Sequence, residues 1–348
     1  MRLLGAAQEG GSTVSECFLT AARIAPADEQ SWYREWKKTA DANNARGDAA
    51  FRRGNVLTAQ TNWLRAMNYY QAAAFHFDAA DERRQGATAS MMACARRYLQ
   101  HLTPAGEVVR IPWLDEYPLQ GYFLPAPAAS GPRPVVVCIG EPGHRKEEYL
   151  YKMARYARER GMSMLVVDLM GSGTGAQFEQ VAGHPDLETA IGAVMDYLAT
   201  RNDTDHRRIA IVGDGAGSSF VARGVALDGR FAAAVCDGGI WDLHEQTFLI
   251  NRVLPRHSGL PAWGGSGIAR KFICPVLITL GEHGWLVADH VAELFDRLQA
   301  AHRDISLKIF SGTETAASQA HADNPTLANE FIFDWIADRL KETRRAES

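Results

Sequence analysis

Six unbroken apolar runs constrain the fold of this chain more than any other feature. They are VVVCIG from Val135, MSMLVVDL from Met162, IAIVG from Ile209, AAAVCDG from Ala232, PVLITLGE from Pro275 and SLKIF from Ser306. Amphipathic stretches such as EYLYKMARYARER and DLETAIGAVMDYLATR separate them. A strand that is apolar on both faces must be covered on both faces, so the alternation predicts a parallel sheet sandwiched by helices. Ligands of such sheets bind beyond the carboxyl ends of the strands. The segments that leave those ends are Gly140-Glu141-Pro142, Asp168 onward, Gly213 to Gly217, Asp237-Gly238-Gly239, Glu282-His283-Gly284 and the loop after Phe310.

The N-terminal third has a different texture. From residue 30 to about 102, aromatic and aliphatic side chains recur at three- and four-residue spacing, for example Trp32 and Trp36, then Trp63, Met67 and Tyr70, with Gly54 as a break. That spacing predicts helices throughout. Arg65 and Tyr69 are the side chains of this region expected to line a substrate pocket, as is Asp237 in the sheet region. Plain packing of one helix on another accounts equally well for any single aromatic here. VVRIPW and LQGYFLP then alternate like a pair of strands. The expected division is a helical domain over 1–105 and an α/β domain over 106–348.

The stretch AIVGDGAGSSF holds the chemical question. With serine in place of Gly215 it would contain GDSAG, the strand-to-helix elbow that presents the nucleophile of an α/β-hydrolase. The flanking glycines are present and the nucleophile is not. Ser218 and Ser219 lie past the turn and do not replace it. Neither this stretch nor Gly171 to Gly175 has the spacing of a dinucleotide or phosphate loop.

Composition narrows the remaining classes. Lys and Arg number 37 against 41 Asp and Glu, a formal charge of −4 that offers nucleic acid no electrostatic footprint. No apolar run is long enough to cross a bilayer, and MRLLGAAQEGG lacks the apolar core of a signal peptide, so a cytoplasmic protein is expected. Five dispersed cysteines read as reduced, structural thiols, and eleven histidines show no metal-binding spacing. No metal or other cofactor is expected. A homodimer is left open.

SWYREW, NWLRAMNYYQAAAF, IPWLDEYPLQGYFLPA, IGEPGHRKEEYL and DNPTLANEFIFDWIADRL together resemble the α/β-hydrolases with a helical N-terminal cap. That group is typified by 2,6-dihydropseudooxynicotine hydrolase and fungal polyketide-shortening hydrolases. The resemblance covers about residues 30 to 342. It implies an α/β-hydrolase core, a helical cap, an active site between them and a Ser-Asp-His triad.

This chain departs from that pattern at each triad position: Gly215 for the serine, Gly284 for the acid, and Gln319 for the histidine, with His321 two residues later as the alternative alignment. The ancestral oxyanion hole would survive in the N–H groups of Ala216 and Glu141, beside Gly140. Glu141, Gln319 and His321 are the candidate catalytic residues, and Gly140, Gly215, Ala216 and Gly284 the backbone of the site. Asp168 and Asp214 are expected to be structural, and His144, His244 and His283 are weaker pocket candidates. Two function classes compete: a binding protein that has lost catalysis, and an enzyme that uses the pocket without hydrolysis. The chain is similar to hydrolase-like enzymes that eliminate acetate from O-acetylated tetronates. That likeness implies a lyase acting on an acylated polyketide-type small molecule.

Overall fold

The computed structural model describes residues 2–114, 117–127, 131–140, 145–168, 189–215, 217–240, 272–302 and 304–345. Glu141, His144, Ala216, His244 and the glycine-rich run from Gly171 to Gly175 lie outside the described residues. The chain divides into two compact units, one of Met1–Glu107 with Glu147–Arg155 and one of Val108–Lys146 with Tyr156–Ser348.

The first unit is helical. Helices α1 (Arg2–Gly5), α2 (Val14–Ala21), α3 (Glu29–Arg52), α4 (Val56–Ala73) and α5 (Glu82–Gln100) follow one another. Side chains of Thr13, Asp28 and Asp81 accept backbone N–H groups at the starts of α2, α3 and α5, satisfying donors that no helix can pair internally. Gly54 makes the turn between α3 and α4 at φ +78°, a conformation that favours glycine. The two helices approach closely where Gly47 faces Trp63, since a Cβ at 47 would lie 2.7 Å from the indole.

Residues 147–155, counted with the α/β domain from sequence, cluster instead with these helices. Their partners explain why. Glu148 pairs with Arg2 at 2.6 Å, the Tyr151 hydroxyl donates to Asn68 at 3.1 Å, and Arg155 pairs with Glu9 at 3.0 Å. Most of this segment is the helix α6 (Lys146–Lys152), followed by α7 (Ala154–Glu159).

The second unit carries an eight-stranded sheet in the order β1-β2-β4-β3-β5-β6-β7-β8. The strands are β1 (Glu107–Leu114), β2 (Tyr117–Leu124), β3 (Arg133–Ile139), β4 (Ser163–Asp168), β5 (Thr204–Asp214), β6 (Ala233–Asp237), β7 (Val276–Gly281) and β8 (Ile305–Phe310). The pairings β4–β3–β5–β6–β7–β8 are parallel, and β2 runs antiparallel to β4. Each apolar run of the sequence became one of the strands β3 to β8; β3, β6 and β7 are buried almost throughout, while β8 is buried only at its two ends. Helices α8 (Thr189–Ala199), α9 (Gly217–Leu227) and α10 (Ala288–Ala301) bury Ile191, Val194, Val221, Val225, Val291 and Leu294 in one core cluster with the strands. The last described helix, α11 (Pro325–Arg345), buries Phe333 and Ile336, with Phe333 stacked on Tyr156. Parallel register places the carboxyl ends of β3, β5, β6, β7 and β8 along one edge, where Asp237 ends β6 and Gly140, Gly215 and Gly284 follow β3, β5 and β7.

Candidate active site

The elbow forms as its glycines require. Strand β5 ends at Asp214, Gly215 turns the chain at φ +56°, and α9 begins at Gly217. A Cβ on Gly213 would stand 2.5 Å from Ser218 Cα, and one on Gly217 would stand 2.7 Å from the Ile139 carbonyl and 2.8 Å from that of Gly140. A side chain at 213 would therefore push β5 away from the start of α9, and one at 217 would push α9 away from the end of β3. The Gly215 N–H donates to the Asp237 carbonyl at 2.5 Å, joining the elbow to the end of β6. Gly238 completes the contact at φ +118°, its missing Cβ 2.7 Å from Gly215 Cα. The Ser218 hydroxyl is fully buried and lies against the carbonyls of Gly215 and Gly239, so it closes the turn and is no substitute nucleophile.

A histidine and a carboxylate meet beside the elbow, a pairing that the sequence reading does not foresee. His321 Nε2 lies 2.8 Å from Asp237 Oδ1, with both residues 3% exposed. Asp237, expected only to line a pocket, supplies the carboxylate, and it comes from the end of β6 instead of the loop after β7. Thr279 Oγ1 donates to the same carboxylate oxygen at 2.8 Å from the facing position of β7. His321 Nδ1 lies 2.6 Å from the Ala316 carbonyl, and Phe310 meets the imidazole edge to face at 5.0 Å.

The loop that delivers His321 is held against its own preferences. Thr315, Ala316, Ala320 and His321 all adopt positive φ, between 52° and 73°. Such backbone costs on the order of 1 kcal/mol per residue and persists only where surroundings impose it. Here Asp323 accepts the N–H groups of Ala317 and Ser318 at 3.1 and 3.0 Å, and the His283 N–H donates to Ala317 at 2.8 Å. Burial alone would raise the Asp323 carboxyl, but the N–H groups of Ser318 and Ala317 outweigh it and hold the group below its ordinary value. Gly281 lets the loop lie on the end of β7, because a Cβ there would come 2.3 Å from the Ala317 carbonyl.

Gln319 does not take the place of an imidazole. Its Oε1 accepts the Trp285 N–H at 2.8 Å, pinning the loop after β7 to the loop after β8. Gly284 leaves room for that contact, since a Cβ on it would lie 3.2 Å from the same oxygen. His283 forms a bridge with Ser318 as part of this junction. Asp168 takes the N–H and the ammonium of Lys146, each at 2.7 Å, in a buried pair. Asp214 is fully buried under the elbow.

Arg65 and Tyr69 have their observed partners inside the helical unit. The Tyr69 hydroxyl donates to Glu16 and accepts from Thr13 N–H, both at 2.8 Å, and the side chain is completely buried. Arg65 donates to Asn43 at 3.1 Å. All five cysteines are buried free thiols, and burial pushes Cys94 up to about 12 and Cys274 up to about 11, so neither offers a thiolate nucleophile. Among the described residues no three His, Cys, Asp or Glu side chains converge on a possible metal, and no helix is long and apolar enough to cross a membrane.

The chain is similar to known proteins. The family described as FrsA-like, esterase FrsA-like, matches residues 26–251. The chain is 29% identical over 287 residues to the hydrolyase poxO of Penicillium oxalicum, covering 78% of this chain and 66% of that protein. It is 33% identical over 274 residues to the hydrolase LUC6 of a Fusarium species, covering 76% and 62%. The chain thus spans slightly under two thirds of the length of these curated relatives. Its fold matches that of 2,6-dihydroxy-pseudo-oxynicotine hydrolase with a TM-score of 0.80 at 22% identity, over 97% of this chain and 95% of that one.

Proposed function

Because the chain belongs to the FrsA-like esterase family of α/β-hydrolase fold, we propose that it uses the site of that fold for elimination instead of hydrolysis. The reaction is loss of a carboxylate, acetate in the simplest case, from an O-acylated polyketide-type small molecule such as an acetylated hydroxymethyl tetronate. The product is an exocyclic C=C bond. One observation carries this reading: an assembled His321–Asp237 pair stands beside an elbow whose nucleophile position is glycine.

A serine at the elbow would attack the acyl carbonyl and cleave the ester before any alkene could form. Gly215 removes that route while leaving the strand-to-helix turn intact. Elimination needs no covalent intermediate. It needs a group to take a C–H proton and donors to steady the charge that develops as the C–O bond breaks. In this reading the N–H groups of Ala216 and Glu141 serve as those donors, and a basic side chain of the site receives the proton. The name hydrolyase, carried by the relative from Penicillium oxalicum, belongs to elimination chemistry and lends support. No cofactor is called for, because the carboxylate leaves with the electrons of its own C–O bond.

The test is to supply the acetylated hydroxymethyl tetronate and follow products by mass spectrometry. Loss of acetic acid with a new alkene is expected. The free alcohol, from simple deacetylation, would overturn the reading. So would thermal stabilisation by the compound with no turnover, which is the signature of a binding protein.

A further inference from the structure

Two contacts of the His321 ring bear on where its protons are. A peptide carbonyl only accepts, so Nδ1, 2.6 Å from the Ala316 oxygen, must carry a hydrogen. Nε2 faces Asp237 Oδ1, which also receives the Thr279 hydroxyl at 2.8 Å. An oxygen that accepts from two sides is best served as part of a carboxylate, and Nε2 then carries a hydrogen as well. Donation through both nitrogens would make His321 an imidazolium, a form with no lone pair to take a proton from substrate.

Asp237 is differently placed. Its Oδ1 holds both donors, while Oδ2 has no hydrogen-bond partner among the described residues. The same residue accepts the Gly215 N–H through its main-chain carbonyl at 2.5 Å, so the carboxylate belongs to the residue in direct contact with the elbow. Resting on the elimination proposed above, we propose that Asp237 is the base of that reaction and that His321 and Thr279 are positioning residues. The C–H bond breaks and its proton passes to Asp237 Oδ2. The electron pair left on carbon becomes the new C=C bond, and the C–O pair departs with the carboxylate. His321 and Thr279 hold Oδ1 so that Oδ2 is the oxygen presented. A carboxylate suffices as base for a proton on carbon conjugated to a carbonyl, as in the tetronate ring.

Two measurements on the full chain test this independently. The first is heteronuclear NMR of ring-labelled histidine at pH 7, with His321→Gln to assign the signals. Both ring nitrogens of His321 should be protonated, and Thr279→Val should shift the Nε2–H signal more than the Nδ1–H signal. A bare ring nitrogen on His321 overturns the assignment whatever the reaction is. The second is turnover of the acetylated tetronate. Asp237→Asn, checked for folding by its melting curve, should lower kcat by about 10³-fold with KM little changed, within the usual range for losing a general base. His321→Gln and Thr279→Val should lower kcat by only about 10- to 100-fold, since each weakens the support of a base that remains. Near-normal turnover by Asp237→Asn with total loss in His321→Gln would reverse the roles. If the wild-type chain eliminates nothing, the proposed reaction fails and the base assignment with it, while the NMR result still decides the state of His321.

Discussion

Gly284 and Gln319 share one place at the end of β7: the oxygen that receives the Trp285 N–H lies 3.2 Å from where a Gly284 Cβ would stand. The position from which the family's acid would reach a histidine is thus filled by an amide that ties two loops together. Gly284→Asp is therefore expected to displace Gln319 without engaging His321, which already has its carboxylate. It should cost about 1–2 kcal/mol in urea denaturation, as overpacking usually does, and restore no esterase activity. A gain in ester hydrolysis would contradict this geometry.

Wild-type protein should take up no mass from a fluorophosphonate probe, because Gly215 has nothing to acylate. Gly215→Ser should cost about 1–2 kcal/mol, since a side chain at φ +56° is strained. It should also gain little activity, because neither nitrogen of His321 is free to activate the added hydroxyl. A burst of p-nitrophenol from p-nitrophenyl acetate, equal to the enzyme present, would show that the imidazole can serve as a base after all.

Strands β3 to β7 are legible from sequence because each carries a continuous apolar run suited to burial on both faces, while β1 and β2 show as alternation. The elbow was legible because close backbone approach at 213 and 217 admits only glycine. The acid–histidine pair was less so. His321 is legible as a candidate, but the sequence marks Asp237 only as a pocket residue, since the family's acid follows β7. What brings the pair together is a loop with positive φ at Thr315, Ala316, Ala320 and His321. Alanine and threonine do not announce that conformation as glycine or asparagine would, and its cause lies in Asp323 and the end of β7. Residues 147–155 were assigned to the α/β unit because they directly follow one of its strands and loops. Their long-range bonds to Arg2, Glu9 and Asn68 leave no periodic trace in the sequence.

Gly281→Ala tests how the histidine loop is held. Its Cβ would meet the Ala317 carbonyl at 2.3 Å, and that carbonyl is backbone, which cannot swing aside. The expected cost is about 3 kcal/mol, with turnover lost as His321 moves away from Asp237. Normal turnover would mean that the loop does not need to lie on β7.

Tyr69→Phe separates packing from substrate binding in the helical unit. Burial raises the Glu16 carboxyl, but bonds from Tyr69, Asn43 and Arg46 outweigh this and hold it below its ordinary value of 4.5. A carboxyl depressed in the folded state stabilises above that value, and the contribution is lost as pH falls through the lower folded value. Tyr69→Phe should therefore lower the melting temperature near neutral pH and make its decline below about pH 4.5 shallower. KM should be unchanged. A raised KM with unchanged stability would return Tyr69 to the role of a substrate contact.

The central claim, elimination in place of hydrolysis, is tested most directly by the oxygen content of the released acid. Acetylated hydroxymethyl tetronate is turned over in ¹⁸O-labelled water and the acetate is weighed by mass spectrometry. Elimination breaks the bond between the alkyl carbon and oxygen, so both oxygens of the acetate come from the substrate and no label enters. Hydrolysis at the acyl carbon would place one solvent oxygen in every acetate, and acetate carrying that label would contradict the account.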